Sequence, residues 1–138
     1  MPDFASLADA VTRVVELAAR RVIDEGATLA VTDDPLLCAA LVDAGCDAEL
    51  ATIERTDDGV TVLATRSAES VVVVLVGIET GRTAAAIADA VRSHGAQRIV
   101  LVTGVLPRQS RTVLGARFDD YAALVEPLAP RALRWHIG

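Results

Sequence analysis

Val71-Val72-Val73-Val74-Leu75-Val76-Gly77-Ile78-Glu79-Thr80-Gly81-Arg82-Thr83 is the stretch whose reading decides the fold. Six apolar residues without alternation, 71–76, predict a strand buried on both faces. Gly77 to Arg82 breaks that run and reads as a loop. From Thr83 to His94 the pattern is helical, with Ala86, Ile87, Ala90 and Val91 on one face. A buried strand therefore delivers Glu79, Thr80, Gly81, Arg82 and Thr83 onto a helix start. The first amides of a helix have no internal acceptor and carry the positive end of its dipole. Gly81 permits close backbone approach, Thr80 and Thr83 bring hydroxyls, and Arg82 brings a charged donor. These features suit a tetrahedral phosphomonoester. The plainer reading, Thr83 as a cap and Gly81 as a turn residue, stays open, because Thr-Gly-x-Thr is a short string.

Outward from this stretch, Gly95 ends the helix and Ile99–Val102 is the next buried strand. Strand, helix, strand in this register is a right-handed crossover of a parallel sheet. Upstream, Ala27–Val31 reads as a strand, and Asp33-Asp34-Pro35 starts a helix that runs to about Ala44. Ala48–Arg55 reads as a strand, Asp57-Asp58-Gly59 as a tight turn and Val60–Ala64 as the return strand. Ser6 and Asp9 open an amphipathic helix over 7–24, stopped by Gly26, with Arg13, Arg20 and Arg21 on or near its outer face. Beyond Gly104, Ser110–Leu114 reads as a short helix and Asp120–Val125 as helix or strand. Arg131–Ile137 is expected as a last, edge strand. The expected fold is α/β: one domain over 1–138, a mostly parallel twisted sheet with helices on both faces.

Composition narrows the function. The chain has 138 residues, 52% hydrophobic and 23% charged, enough for a real core. A net charge of -6 and 3% aromatics argue against nucleic acid as a partner. All 13 basic residues are arginine. Without lysine, Schiff-base chemistry is excluded, and cationic ligand contacts fall to guanidinium or backbone. Cys38 and Cys46 form no disulfide framework or metal knuckle and read as two small buried hydrophobes. The N-terminal residues do not resemble a signal peptide, and no apolar run can span a bilayer, so no membrane role and a cytoplasmic location are expected. No metal cluster, Walker loop or hydrolase triad is present in the sequence.

The 71–83 segment resembles the ribose-phosphate signature of type I phosphoribosyltransferases, in which a hydrophobic strand and two acids lead into a Thr-Gly-x-Thr loop. The Ser93-His94-Gly95-Ala96 helix end and the following strand fit that family too. The Thr-Gly-Arg-Thr wording is similar to the pyrimidine-attenuation regulator and uracil phosphoribosyltransferase branch. Residues 27–44 stand where the family has its pyrophosphate loop, and the resemblance spans about residues 27–105. It implies the fold stated above, a phosphorylated small-molecule ligand, Mg2+ if the protein is active, and a homodimer.

The departures are specific. Counted back from Thr80-Gly81, the two acids that hold the ribose hydroxyls are replaced by Leu75 and Val76. Glu79 is the only carboxylate within reach. The interval for the family's catalytic loop is short, 56–70, and mostly hairpin. The resemblance thus implies a catalytically degenerate member that binds a phosphate or phosphoribosyl ligand at 79–83. An active nucleobase phosphoribosyltransferase using Glu79 is the alternative, and a non-catalytic dimeric interaction module is a third. Asp33 and Asp34 are candidates for a metal ion on the pyrophosphate side, against the simpler role of capping the helix before Pro35. His94 is expected to meet its helix dipole. His136 and Trp135 are expected to pack a last strand, with closure over a base as the second reading. The dimer expectation rests on a mean hydropathy of +0.42 and on Val15, Leu17 and Ala19, which lie off the main apolar stripe of the first helix.

Overall fold

The core is organised by runs of residues that must be buried on two sides at once. In the computed structural model, which describes residues 2–62 and 66–138, five strands form one sheet. They are β1 (Leu29–Thr32), β2 (Ala48–Leu50), β5 (Ser70–Leu75), β6 (Arg98–Val105) and β7 (Asp120–Val125), in the order β2-β1-β5-β6-β7. Every neighbouring pair is parallel. Between β2 and β5 lies a separate antiparallel hairpin of β3 (Ile53–Thr56) and β4 (Gly59–Val62). The expected return strand 60–64 is β4 as far as Val62; Leu63 and Ala64 lie outside the described residues.

Side chains alternate across the sheet, so the Val71–Leu75 run feeds two cores. Val71, Val73 and Leu75 pack with Ile87, Ala88 and Val91 of helix α3 (Arg82–Ser93). Val72 and Val74 pack with Val14 and Ala18 of α1 (Leu7–Glu25) and Leu37 and Leu41 of α2 (Pro35–Asp43). Helices thus cover both faces, as the continuous apolar run requires. Burying each such valine contributes about 1.5–3 kcal/mol relative to exposure.

The helix ends follow the local chemistry. Ser6 Oγ accepts from Asp9 N at 3.1 Å, and Asp9 reaches back to Ala5 N. Gly26 closes α1 in the left-handed conformation. Arg21 does not lie on the outer face. It is partly buried and bridges Glu25 and Asp120, tying α1 to β7, while Arg98 holds Glu25 from β6 at 2.5 Å. These guanidiniums, Arg98 first, hold the Glu25 carboxyl below its ordinary range.

Ala48–Arg55 is two strands, broken at Ala51 and Thr52, because Ala51 turns inward and is buried while β3 leaves the sheet to pair with β4. Asp120–Val125 is a strand and occupies the edge beside β6. With that place filled, Arg131–Ile137 is no edge strand. Residues 133–136 form a 3₁₀ turn, and Ile137 makes a single bridge to Phe4. Trp135 packs no strand either. It is 61% exposed, with the Arg131 guanidinium over its ring. His136 is buried, its Nδ1 2.5 Å from Asp3 Oδ2. Val15 and Leu17 are not turned outward, since both pack in part against the α1 core. Cys38 and Cys46 are free and only half-buried. Among the described residues, no helix is long and apolar enough to cross a membrane.

Candidate functional site

All strands of a parallel sheet end on the same side, and ligands of open α/β sheets bind beyond those ends. Here β5 ends at Leu75, and the chain runs through Gly77 and Ile78 into α3. Backbone bonds hold that passage to β6: Gly104 N donates to Val76 O and Ile78 N donates to Val105 O, both at 2.9 Å. Ser110 Oγ, from the buried start of α4 (Ser110–Leu114), donates to Glu79 O at 3.0 Å. The loop is therefore anchored at its first residue and again before its glycine.

Gly81 then turns the chain with φ +87°, and a side chain there would also press on Leu114 at 3.3 Å. Gly81, the N-cap of α3, has no side chain to cap it, unlike Ser6 of α1 and Asp34 of α2, and Thr80 Oγ1 accepts only a long bond from Arg82 N at 3.4 Å. Intrahelical bonding begins with Ala85 N to Gly81 O at 2.9 Å, so the amides before it have no acceptor inside the helix. They open into a cavity of about 250 Å³. Glu79, Thr80, Gly81, Arg82 and Thr83 all line it, together with Leu75 and Gly77. Its size suits a small phosphorylated molecule and is below the usual range for larger ligands, about 300–1,000 Å³.

The two acids upstream take different places. Asp34 Oδ1 accepts from Leu36 N and Leu37 N at 2.9 and 3.2 Å, so it is the α2 cap. Asp33 instead lines the cavity. The two carboxylates therefore differ in role: Asp34 gives one oxygen to the helix cap, and Asp33 lines the cavity. Burial is the main influence on Asp33 and raises its pKa, with its own backbone amide and Arg55 pulling the other way and Asp34 adding to the rise. The native state therefore binds that proton more tightly than the unfolded chain does. The contribution of Asp33 to stability is greatest below the unfolded carboxyl pKa and falls as pH rises through the higher folded value. Asp33→Asn should accordingly raise the melting temperature at pH 7 and give no gain near pH 3. A lower melting temperature at pH 7 would mean that the ionised carboxylate is stabilising.

The sequence reading missed Arg55. It reaches the cavity from β3, and its Nη2 donates to Thr83 Oγ1 at 3.0 Å. The hairpin thus leans on the helix start and adds a second arginine to the cavity lining. Leu75 and Val76, at the two positions where the resemblance implies acids, are 3% and 6% exposed. Leu75 belongs to the α3 core and Val76 to the α1 core. His94 caps α3 as expected, with Nδ1 2.9 Å from Ala90 O. His136 and Trp135 are outside this cavity.

No family model matches the sequence, and no curated protein matches it. Solved structures do resemble the fold. The protein TT1426 from Thermus thermophilus superposes with a TM-score of 0.70 at 16% identity, over 97% of this chain and 89% of that one. A hypoxanthine-guanine phosphoribosyltransferase from Bacillus anthracis gives 0.62 at 20% identity, over 92% and 83%. The adenine phosphoribosyltransferase from Rhodothermus marinus gives 0.62 at 16% identity, over 83% and 78%. At these identities the likeness shows the fold, which is the α/β architecture of phosphoribosyltransferases.

Proposed function

We propose that this chain binds a phosphate or phosphoribosyl ligand at residues 79–83 and does not carry out phosphoribosyl transfer. The observation that carries the reading is the start of α3 at Gly81, whose N-cap offers no side-chain acceptor, lining a cavity with Arg55 and Arg82. Backbone amides at the helix start and guanidiniums in the lining can give a phosphate charge-assisted hydrogen bonds. The loss of transfer activity rests on Leu75 and Val76. Apolar groups at those positions cannot accept hydrogen bonds from ribose hydroxyls, and each such contact to a charged partner is worth about 1.5–3 kcal/mol. Resemblance to the uracil branch rests on the Thr80-Gly81-Arg82-Thr83 wording alone.

The second reading, an active nucleobase phosphoribosyltransferase, is favoured by one observation: Glu79 lines the cavity and is exposed. Such an enzyme would need Mg2+. The acids left for it are Asp33 and Glu79, since Asp34 caps α2, so the residues present do not fit a paired-carboxylate site. Homodimer formation in the cytoplasm belongs to the proposal as well. With Val15 and Leu17 turned inward, it rests on exposed apolar side chains such as Ile23 and Leu36, and light scattering measures it.

Ligand binding to the native state alone raises the melting temperature. At a ribose 5-phosphate concentration one hundred times Kd the gain is about 2.7 kcal/mol. The double variant Arg82→Ala, Thr83→Ala should lose this rise while its unliganded melt stays close to that of the parent. An equal rise in the variant, or none in the parent at millimolar ligand, refutes the site.

A further inference from the structure

We propose that Asp33 is the specificity residue of this cavity, accepting a hydrogen bond from a hydroxyl of the ligand whose phosphate rests on residues 80–83. The inference deepens the proposed function and rests on it. Its ligand class is a hydroxylated phosphomonoester.

The cavity lining is chemically mixed. The start of α3 with Arg82 favours an anion, and Arg55 reaches that helix start through Thr83. Asp33, just past the end of β1, the strand that pairs directly with β5, lines the same cavity. A carboxylate there repels a phosphate placed against it. The ligand must therefore present something else on that side, a group that can donate. Asp33 is placed to receive it: its neighbour Asp34 serves the α2 cap, whereas Asp33 forms no ion pair within 4 Å among the described residues. Burial still outweighs the one hydrogen-bond donor acting on this carboxylate, its own backbone amide, and a half-buried carboxylate short of donors is held at a cost. A hydroxyl donor removes that cost without adding charge.

Three donors could serve: a hydroxyl, an ammonium or a metal ion. Arg55 lies near enough to influence the Asp33 proton, so positive charge already stands beside the carboxylate. A second cation would meet that guanidinium, whereas a neutral hydroxyl would not. The positions occupied by Leu75 and Val76 supply no hydroxyl acceptor. Asp33 reaches the same cavity from just past the neighbouring strand and is half-buried there, whereas Glu79 is exposed, so reading of a hydroxyl moves from β5 to β1.

The experiment measures Kd by calorimetry for ribose 5-phosphate, methyl phosphate and aminoethyl phosphate, each with EDTA and with Mg2+. The proteins are the parent, Asp33→Ala and Asp33→Asn. In EDTA the parent should bind ribose 5-phosphate about tenfold or more tighter than methyl phosphate, the gain expected of one charge-assisted hydrogen bond. Asp33→Ala should bring that ratio to about one and leave methyl phosphate affinity unchanged or improved, because a repulsive charge is gone. Asp33→Asn, which keeps an acceptor oxygen, should lie between. A ratio that survives Asp33→Ala overturns the proposal. So does tighter binding of aminoethyl phosphate than of ribose 5-phosphate, which would assign an ammonium, or binding that appears only with Mg2+, which would assign a metal. If the parent binds none of the three phosphates under either condition, the anion site itself fails and the assignment of Asp33 falls with it. Methyl phosphate binding without discrimination fails Asp33 alone.

Discussion

Incubated with phosphoribosyl pyrophosphate, Mg2+ and each common nucleobase in turn, the protein is expected to release no pyrophosphate above the uncatalysed rate. An enzyme in the usual range would turn over about 1 to 1,000 times per second, so the expected difference is several orders of magnitude. The reason is local. Leu75 and Val76 are apolar and only 3% and 6% exposed, and neither can accept a hydrogen bond. The two side chains also point into opposite cores, Leu75 toward α3 and Val76 toward α1. The substitution is therefore built into the packing. Leu75→Glu with Val76→Asp should not restore transfer. It should instead lower the melting temperature sharply, because an unpaired charge placed in a core is costly. Measured turnover in the usual range would refute the non-catalytic reading and give Glu79 the hydroxyl-binding role.

The parts of the fold legible in the sequence are those where burial leaves no choice. β5 lies between two parallel neighbours and under two layers of helix, so every residue from Val71 to Leu75 is apolar. That run, followed by Gly81 and the amphipathic α3, placed the loop correctly. β7 has one neighbour and only half-buried residues, so its pattern reads equally well as helix or strand. Arg131–Ile137 carries Leu133, Trp135 and Ile137 at every second position, yet the edge it would have joined was already taken by β7. Which segment claims an edge is decided by tertiary packing, and strand propensity says little about it.

In the candidate site, contacts local in sequence were readable and distant ones were not. Glu79 to Thr83 line the cavity together because they are consecutive. Arg55 meets Thr83 across 28 residues, and no spacing rule links a hairpin arginine to a helix start. Asp33 and Asp34 form an intermediate case. Pro35 opens α2, so the residue directly before it is the cap. That rule assigns the role to Asp34 and leaves Asp33 free, a distinction the string Asp-Asp-Pro already contained.

Gly104→Ala should cost about 3 kcal/mol or more and lower the melting temperature by about 10 °C or more. A Cβ on Gly104 would stand 2.3 Å from Val76 O, 3.1 Å from Val14 Cγ2 and 3.4 Å from Phe4 Cζ. The first contact is with backbone, which cannot rotate aside as a side chain does. It can be relieved only by moving β6 away from the β5 end, and that strains the Gly104 N to Val76 O bond. Gly77→Ala is the control. Its Cβ would meet Leu133 Cδ1 at 2.9 Å, the far end of a flexible side chain, so its cost should stay within about 1 kcal/mol. Circular-dichroism melts of both variants decide the matter, and a Gly104→Ala midpoint within about 2 °C of the parent refutes the close approach. The effect reaches the site as well. Val76 and Ile78 are the residues through which β6 holds the start of the loop, so moving Val76 shifts the amides of α3 against Arg55. Below its melting temperature, Gly104→Ala should therefore bind ribose 5-phosphate more weakly than Gly77→Ala does, although residue 104 does not line the cavity. Equal affinity in the two variants would mean that Ser110, holding Glu79 from α4, is enough by itself to position the loop.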